Sequence, residues 1–340
     1  MRQSLFRIAL ILTALIAFGC TQKESSPNKK MKIGVSVPAA DHGWTAGVGY
    51  WAETEMAKYP DVEWVYATAG EPGKQTSDIE DMMTKQIDGL VVLATEPTPV
   101  RPVIEKATQR GIFTVSVDRG FDPPIADVFL EGDNKAFGRK SAEYIVDRMK
   151  GKGRIVILRG IPSSVDADRY DSAMAVFKAH PDIHVLAAQT GMWSREKALT
   201  VMQSYLAQFP KIDCVWASDD DMALGAEKAI KETGRINEMW IMPGAGMKDI
   251  VKRVMDKDPV YPADITYPPA MIAAGIDVAV AKLKDGSIAA AAGKTPEHLG
   301  ITKEQLDQAA AQTGKKKITI DVFVITPENA MKYYFPDSVF

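Results

Sequence analysis

Two stretches of the sequence, "IDGLVVLATEPTP" at residues 87–99 and "IDCVWASDDDMAL" at residues 212–224, follow one pattern. Each begins with Ile-Asp, continues as a short apolar run, and reaches an acidic turn that leads into a helical pattern. A short apolar run bounded by turn residues is typical of a strand buried in a parallel sheet. Because this unit occurs in both halves of the chain, we expect two similar α/β lobes.

Short β-branched runs alternate with longer amphipathic stretches from Met31 onward. In residues 194–209, for example, Leu199, Met202 and Leu206 recur at helical spacing. Strands separated by helices form βαβ units with right-handed crossovers. The predicted fold class is therefore α/β, with two doubly wound parallel-sheet lobes. The predicted strands span residues 32–37, 62–67, 89–93, 112–117, 127–130, 154–158, 183–188, 212–217, 239–242 and 263–267.

The remaining C-terminal sequence is harder to place in this alternation. Residues 289–317 are rich in Ala and Lys and are interpreted as a surface insertion, and residues 315–335 predict a last strand and a short helix. A chain of 340 residues is long enough for two cores. Its net charge is -3 without a basic stripe, which argues against nucleic acid as the main partner.

The N-terminal residues predict export. Two arginines precede residues 8–19, which are almost wholly apolar but too short to span a bilayer. We therefore predict a signal peptide over residues 1–19. Cys20 follows directly, in a context that resembles a bacterial lipobox, so we predict a lipidated N-terminus and polar tether over residues 20–30, with a membrane-anchored periplasmic or cell-surface protein. An ordinary signal peptide with an incidental cysteine is the alternative. Cys214, the other cysteine, lies in an apolar run and is expected to be buried.

Acids, arginines and large aromatics collect directly after the predicted strands. In open parallel sheets, ligands bind beyond the carboxyl ends of the strands. Carboxylates accept protons from hydroxyl groups, guanidinium groups donate in fixed planar geometry, and aromatic rings cover the apolar C–H faces of a polyol. The expected ligand-binding residues are Asp41, His42, Trp44, Asp118, Arg119, Asp166, Arg169, Trp193, Asp219 and Tyr267.

Several of these residues have simpler alternative roles. Trp44 is placed in a loop that lines the cleft, but it could instead be a core residue of the helix that follows. His42 could be an ordinary loop residue, and Asp118-Arg119 could be a turn with a local ion pair. Among the aspartates at 219–221, Asp219 is expected to contact the ligand, while Asp220 or Asp221 caps the next helix.

Enzyme and cofactor motifs fit the sequence poorly. Residues 47–52 match G-x-G-x-x-A, but they begin ten residues after the first predicted strand ends at Val37 and cannot form a tight phosphate turn. The sequence contains no G-x-S-x-G elbow and no H-E-x-x-H pair, and a total of only four histidines argues against a His-rich metal site. We predict a binding protein that is not an enzyme and needs no cofactor or metal.

Residues 32–334 resemble the ribose-binding-type periplasmic sugar-binding proteins. The stretches that carry the resemblance are "KIGVSVPAADHGW", "GIFTVSVDRG", "GDNKAFGRKSAEYI", "CVWASDDDMALGAEKAI" and "VITPENA". The resemblance implies a three-strand hinge, with lobe one at residues 31–131 plus 268–322 and lobe two at residues 132–267 plus 323–340. It also implies the type I periplasmic-binding-protein fold.

The resemblance implies roles for individual residues. Trp44 and Trp193 would be aromatic plates on either side of a sugar ring, Asp118 and Arg119 the pair that holds sugar hydroxyls, and Arg169 the arginine of the second lobe. Asp219 stands where the family often has asparagine. His42 stands where asparagine is common, and Tyr267 where a polar amide is frequent.

One departure concerns the ligand. Where the family often has an acid that binds a hydroxyl, this chain has Ala245, which favours a larger, oxidised or otherwise modified sugar. The expected function is capture of a sugar or sugar derivative and its delivery to an ABC permease, by a monomer. The alternatives are a sensory receptor of the same fold, or a binder of a non-sugar ligand such as a nucleoside or a furanosyl signal.

Overall fold

The computed structural model describes residues 30–340. The predicted signal peptide, Cys20 and nearly all of the tether lie outside these residues. Within the described part of the chain, no helix has the length and apolar character needed to cross a membrane.

The first part of the chain, up to the point where it first crosses to the second lobe, forms the strands and helices of the first lobe. The core side of each strand is apolar, and all four residues of the third strand are buried. The elements are β1 (Lys32–Pro38), α1 (Gly43–Met56), β2 (Glu63–Ala69), α2 (Pro72–Thr84), β3 (Gly89–Val92), α3 (Pro97–Gln109), β4 (Phe113–Val117) and β5 (Val128–Gly132).

The middle of the chain repeats the same alternation and builds the other lobe. Its elements are α4 (Asn134–Arg148), β6 (Gly153–Arg159), α5 (Ser164–Lys178), β7 (Ile183–Thr190), α6 (Arg195–Gln208), β8 (Cys214–Ala217), α7 (Asp220–Glu232), β9 (Trp240–Met242), α8 (Lys248–Met255) and β10 (Asp264–Ile265).

The last part of the chain returns to the first lobe and then crosses back. It contains α9 (Met271–Asp285), α10 (Lys303–Ala311), β11 (Lys316–Ile320) and β12 (Val324–Ile325), with 3-10 turns at Ile288–Ala291, Glu297–Leu299 and Ala330–Tyr333. α9 is buried on all sides over most of its length and packs on α1, β3 and β4.

Each lobe has a parallel sheet whose strand order reverses once. The first sheet has the order β11-β5-β4-β3-β1-β2, and the second has the order β7-β6-β8-β9. β10 and β12 form a separate antiparallel pair, where two of the three chain segments that connect the lobes run side by side. The prediction of two doubly wound α/β lobes is confirmed.

The interpretation of residues 289–317 as a surface insertion is wrong. Leu299, Leu306 and Ala309 are buried, and the stretch leads into β11, which pairs in parallel with β5. Ala291 is buried as well, so several apolar side chains of this Ala- and Lys-rich sequence belong to the core. The segment is therefore part of the first lobe, where it extends the sheet.

A pair of buried carboxyl groups joins α1 to α9. Tyr59 donates a hydrogen bond to Asp277 Oδ1 at 2.6 Å, and Lys58 donates one to Glu55 Oε2 at 2.8 Å. Within residues 30–340, Glu55 Oε1 and Asp277 Oδ2 are buried without a donor. Burial, together with the Glu55 charge, raises the pKa of Asp277 to about 8 against the hydrogen bond from Tyr59. Asp277 is therefore protonated at neutral pH and can donate to Glu55.

This pair makes stability depend on pH. Unfolded Asp277 ionises near its ordinary pKa, whereas the folded residue keeps its proton up to about pH 8, so stability falls as pH rises through this interval. Asp277→Asn keeps a hydrogen-bonding side chain that cannot ionise. Urea denaturation should show its stability relative to wild type rising by about 1 kcal/mol or more between pH 5 and pH 8. Asp285→Asn, at the exposed end of α9, should show no such rise. An identical pH profile for wild type and Asp277→Asn would contradict this account.

Candidate functional site

A cavity with an empty volume of about 680 Å³ lies where the carboxyl ends of the two parallel sheets face each other. Both lobes and the connecting segment at Tyr267 supply its walls. Eight of the ten predicted ligand-binding residues line it: His42, Trp44, Asp118, Arg119, Arg169, Trp193, Asp219 and Tyr267. Most of the residues predicted from their positions after the strands therefore lie together at the carboxyl ends of the sheets.

Trp44 lies in the first turn of α1, and its predicted placement in a loop is wrong. The helix begins at Gly43, because a capping box formed by His42 and Thr45 starts it directly after the β1 loop. Trp44 is only 6% exposed, and its indole Nε1 donates to the carbonyl oxygen of Tyr267 at 2.8 Å. It is both a packed helix residue and a wall of the cavity, so the two alternative roles are combined.

Trp193 reaches the cavity through an unusual backbone. Met192 and Trp193 both have positive φ values, 58° and 54°, a conformation that costs energy for residues other than glycine. The indole then lies against Gly160, where an added Cβ would be 1.8 Å from the ring. The left-handed turn after β7 and the missing side chain at Gly160 together position this aromatic plate.

Arg169 is a buried cation beneath the cavity. Only 4% of it is exposed, and its guanidinium carbon lies 3.9 Å from the Phe137 ring centroid, 4.3 Å from that of Tyr267 and 5.4 Å from that of Trp193. Burial lowers the pKa of Arg169, although the nearby Tyr267 and Asp118 oppose this effect. A guanidinium group held in this way has a fixed orientation.

The hydrogen bonds of Arg169 involve neutral partners. Its Nε donates to Asn134 Oδ1 at 2.9 Å, and one terminal nitrogen donates to the carbonyl oxygen of Ser218 at 2.8 Å. Asn134 in turn donates to the hydroxyl of Tyr267 at 3.1 Å. A guanidinium group has five N–H donors, so Arg169 keeps donors that a ligand oxygen can engage.

Asp118 and Arg119 lie together at the end of β4. The Tyr267 hydroxyl donates to Asp118 Oδ1 at 2.6 Å, which ties the first lobe to the connecting segment. Asp118 Oδ2 is 3.8 Å from Arg119 Nε, and Arg119 also donates to the carbonyl oxygens of Ala94 and Thr95. The turn and the local ion pair are both present, and both side chains also face the cavity.

The capping assignment among the three aspartates is wrong. Asp219 itself is the N-cap of α7, since its carboxylate accepts from the Met222 amide at 3.1 Å. Asp220 accepts from the amides of Gly244 and Met247. The sequence shows three identical aspartates in a row, so it cannot tell which one caps the helix. The geometry of the turn from β8 to α7 gives each of them a different hydrogen-bond partner.

Asp219 and His42 make this side of the cavity sensitive to pH. Burial, reinforced by the charge of Asp221, raises the pKa of Asp219 to about 6. Burial alone would lower the pKa of His42, but the hydrogen bond to Asp41 and the charges of Asp219 and Asp221 outweigh it and raise that pKa. Near neutral pH this wall can therefore both accept and donate hydrogen bonds.

Two predicted residues lie outside the cavity. Asp166 is 3% exposed, and its carboxylate is occupied by the Arg159 side chain and by the Gly160 amide. It supports the end of β6, so its position does not agree with the predicted ligand contact. Asp41 lines a wider outer part of the cleft and is engaged by His42 and Thr45.

Sequence reasoning missed several lining residues. They are Pro97, Gly120, Ser163, Ser164 and Val165, whereas Ala245, noted in the sequence for its missing acid, does line the cavity. Ser163 caps α5 by accepting from the Asp166 amide, so the pattern Ser-x-x-Asp after β6 was the available signal. Within residues 30–340, no group of three or more His, Cys, Asp or Glu side chains is arranged to hold a metal ion.

Two α/β lobes around a polar, aromatic-walled cavity define a clamshell binding protein. The chain belongs to the periplasmic binding protein family, whose domain matches residues 33–302. Membership of this family identifies it as an exported protein.

Three known proteins illustrate the similarity. A xylitol-binding protein of Mycolicibacterium smegmatis is 29% identical over 80% of this chain and 78% of its own length. A galactofuranose-binding protein of Escherichia coli is 26% identical over 91% of this chain and 97% of its own length. The solved fructose-binding periplasmic domain of a hybrid two-component system is 28% identical, with a TM-score of 0.72, over 88% of this chain and 92% of that one.

Proposed function

We propose that this protein captures a sugar or sugar derivative between its lobes and delivers it to an ABC permease. The observation that carries the proposal is the chain of contacts from Asp118 through Tyr267 and Asn134 to Arg169. The proposal is supported by the two ends of this chain of contacts, a carboxylate after β4 and a guanidinium group on α5, which both line the cavity. These two groups satisfy the acceptor and donor functions of vicinal hydroxyls.

Capture requires closure of the two lobes on the ligand. We propose lobe one as residues 31–131 plus 268–322, and lobe two as residues 132–267 plus 323–340. The Gly43 amide at the start of α1 donates to Asp221 Oδ2 at 2.9 Å, a direct contact across the cleft. A ligand that touches both lobes adds to such contacts and shifts the equilibrium toward the closed form, which is the form a permease would recognise.

The chemistry of the cavity favours a modified sugar over a simple pentose or hexose. Ala245 supplies only a methyl group to the wall, so no carboxylate accepts a hydroxyl at that point. Its φ of 141° is strained for a residue with a side chain. A sugar ring that is oxidised, lacks a hydroxyl or carries a substituent at this point would lose the least binding free energy from the missing acceptor.

A sensory role is the second candidate. One similar protein is the fructose-binding domain of a hybrid two-component system, so the same fold also serves signalling. Binding of a furanosyl signal or a nucleoside would need the same donors and acceptors. For the transport role, we propose a monomer anchored through a lipidated Cys20, without catalytic activity, cofactor or nucleic-acid partner.

A thermal-shift screen tests the proposal. The protein is heated with pentoses, hexoses, furanoses, polyols, oxidised and anhydro sugars, and nucleosides. A ligand at 100 times its dissociation constant should stabilise the fold by about 2.7 kcal/mol. Turnover of a sugar would indicate an enzyme, and stabilisation by nucleosides alone would favour the non-sugar alternative. The absence of any shift would contradict the proposed function.

The affinity for the best ligand of that screen should depend on pH. The ionised carboxylate of Asp219 accepts a ligand hydroxyl more strongly than the protonated acid does, and burial raises the pKa of Asp219 to about 6. Calorimetry should therefore show affinity falling by up to about tenfold between pH 7 and pH 5. Asp219→Asn should bind more weakly and lose most of this dependence, whereas Asp249→Asn, exposed on α8, should retain it. An equally steep profile in Asp219→Asn would remove Asp219 from ligand recognition.

A further inference from the structure

Residues 335–340, called here the 335–340 segment, pass from lobe two to lobe one. On the lobe-two side, Lys248 of α8 donates to the carbonyl oxygens of Ser338 and Pro336, at 2.5 Å and 3.5 Å. Ser338 and Phe340 are 2% and 4% exposed, whereas Val339 between them is 56% exposed. The segment is therefore fastened to α8, and it buries Phe340 while Val339 points outward.

Phe340 packs on the first two turns of α1, where two glycines leave the helix surface without side chains. A Cβ placed on Gly47 would lie 2.8 Å from Phe340 Cβ and 2.6 Å from Pro269 Cγ. One turn earlier, a Cβ on Gly43 would lie 3.1 Å from the Phe340 ring. Two glycines spaced four residues apart fall on one helix face. They form a groove on α1 that Phe340 occupies.

A second aromatic contact lies further along the same helix. The Phe335 ring is 4.4 Å from the His298 ring and 5.7 Å from the Trp51 ring, in an edge-on arrangement with the latter. Trp51 belongs to α1, and His298 follows α9 in lobe one. The 335–340 segment thus contacts α1 at two points while its backbone is bonded to α8.

The start of α1 is also the part of lobe one that forms the cavity. Its N-cap His42 and its residue Trp44 line the wall, and the Gly43 amide donates across the cleft to Asp221. Phe340 lies against the same turn, next to Gly43. Contacts of Phe340 with α1 therefore hold the turn that bears these binding residues against lobe two.

We propose that Phe340 is a positioning residue for the ligand site, which fastens the first turn of α1 to lobe two and favours the closed arrangement of the lobes. The ligand consequence rests on the proposed function, but the effect on lobe arrangement does not. These contacts join the two lobes, so they stabilise the closed form more than the open form. Their loss shifts the equilibrium toward the open form by the difference in contact free energy between the two forms.

Double electron–electron resonance measures this equilibrium without a ligand. Spin labels at Lys74→Cys on α2 and Lys197→Cys on α6 report the distance between lobes, because both positions are exposed and closely follow residues that line the outer cleft, Pro72 and Trp193. Cys20→Ser removes the N-terminal thiol, and Cys214 is buried. Phe340→Ala should raise the ratio of open to closed molecules at least fivefold, on the scale of ordinary coupling between sites. Phe340→Leu should restore most of the closed population, and Val339→Ala should match the wild type.

A pair of glycine variants tests the groove separately. Gly47→Ala places a methyl group where Phe340 and Pro269 lie, and should open the lobes as Phe340→Ala does. Gly49→Ala on the other side of α1 meets only the Tyr66 hydroxyl at 3.4 Å and should leave the distances unchanged. A wild-type protein that is already open, or Phe340→Ala and Gly47→Ala with wild-type distances, would overturn the proposal. A negative sugar screen would contradict only the proposed function.

Discussion

Trp193→Ala should weaken ligand binding about a hundredfold while the protein stays folded. The indole is a cavity wall that is only partly buried by the protein, so a ligand ring gains the contact area that the protein core does not use. Loss of such an aromatic surface costs about 2–3 kcal/mol of binding free energy. Isothermal titration calorimetry with the best ligand of the thermal-shift screen measures this loss directly.

The matched variants separate ring stacking from general damage. Trp193→Phe keeps an aromatic face and should recover most of the affinity. Trp240→Ala removes another partly buried tryptophan of lobe two, one that contacts Tyr144 and Arg148 and does not line the cavity. Its affinity should match the wild type. An unchanged dissociation constant for Trp193→Ala would remove this residue from the site.

Gly138→Ala should cost about 3 kcal/mol or more of unfolding free energy. A Cβ at this position on α4 would lie 1.9 Å from the backbone oxygen of Arg169 on α5. Because the obstacle is backbone, no side-chain rotation can relieve it, and the two helices must move apart. That movement also displaces the arginine beneath the cavity, so ligand affinity should fall along with stability. Guanidinium denaturation and calorimetry provide the two measurements.

Gly73→Ala is the control for this substitution. Gly73 lies in α2, and an added Cβ there has no neighbour within 4 Å. Alanine has a higher helix propensity than glycine by about 1 kcal/mol, so this variant should be neutral or slightly more stable. Equal stability of Gly138→Ala and wild type would show that α4 and α5 do not approach as closely as the structure indicates.

The alternation of strands and helices was predictable because it rests on periodicity. The apolar runs at β3 and β8 are short and are followed by turn residues, and both are central strands whose residues are all buried. Residues 289–317 were misjudged because the few buried side chains in this Ala- and Lys-rich stretch are unevenly spaced and leave no clear period. Their burial depends on the rest of lobe one, which local sequence does not contain.

The site was predictable as a set and not residue by residue. The carboxyl ends of parallel strands share one edge of a sheet, so the residues after each strand gather there whatever their individual roles. Asp166 follows the same rule in sequence, yet it turns toward Arg159 and the Gly160 amide. Which acid faces the cavity depends on neighbours that are distant in sequence, and the same holds for the cap at Asp219.

The sequence by itself determined two doubly wound lobes and a polar, aromatic ligand cleft between them, because hydrophobic period and strand-end composition are local properties. Only the tertiary structure decided how the cleft is assembled. Three packing contacts join segments that are far apart in the chain. Trp193 packs on Gly160, Arg169 is buried between aromatic rings, and Phe340 packs on the two glycines of α1. Such contacts arise from close packing in three dimensions, which no local pattern encodes.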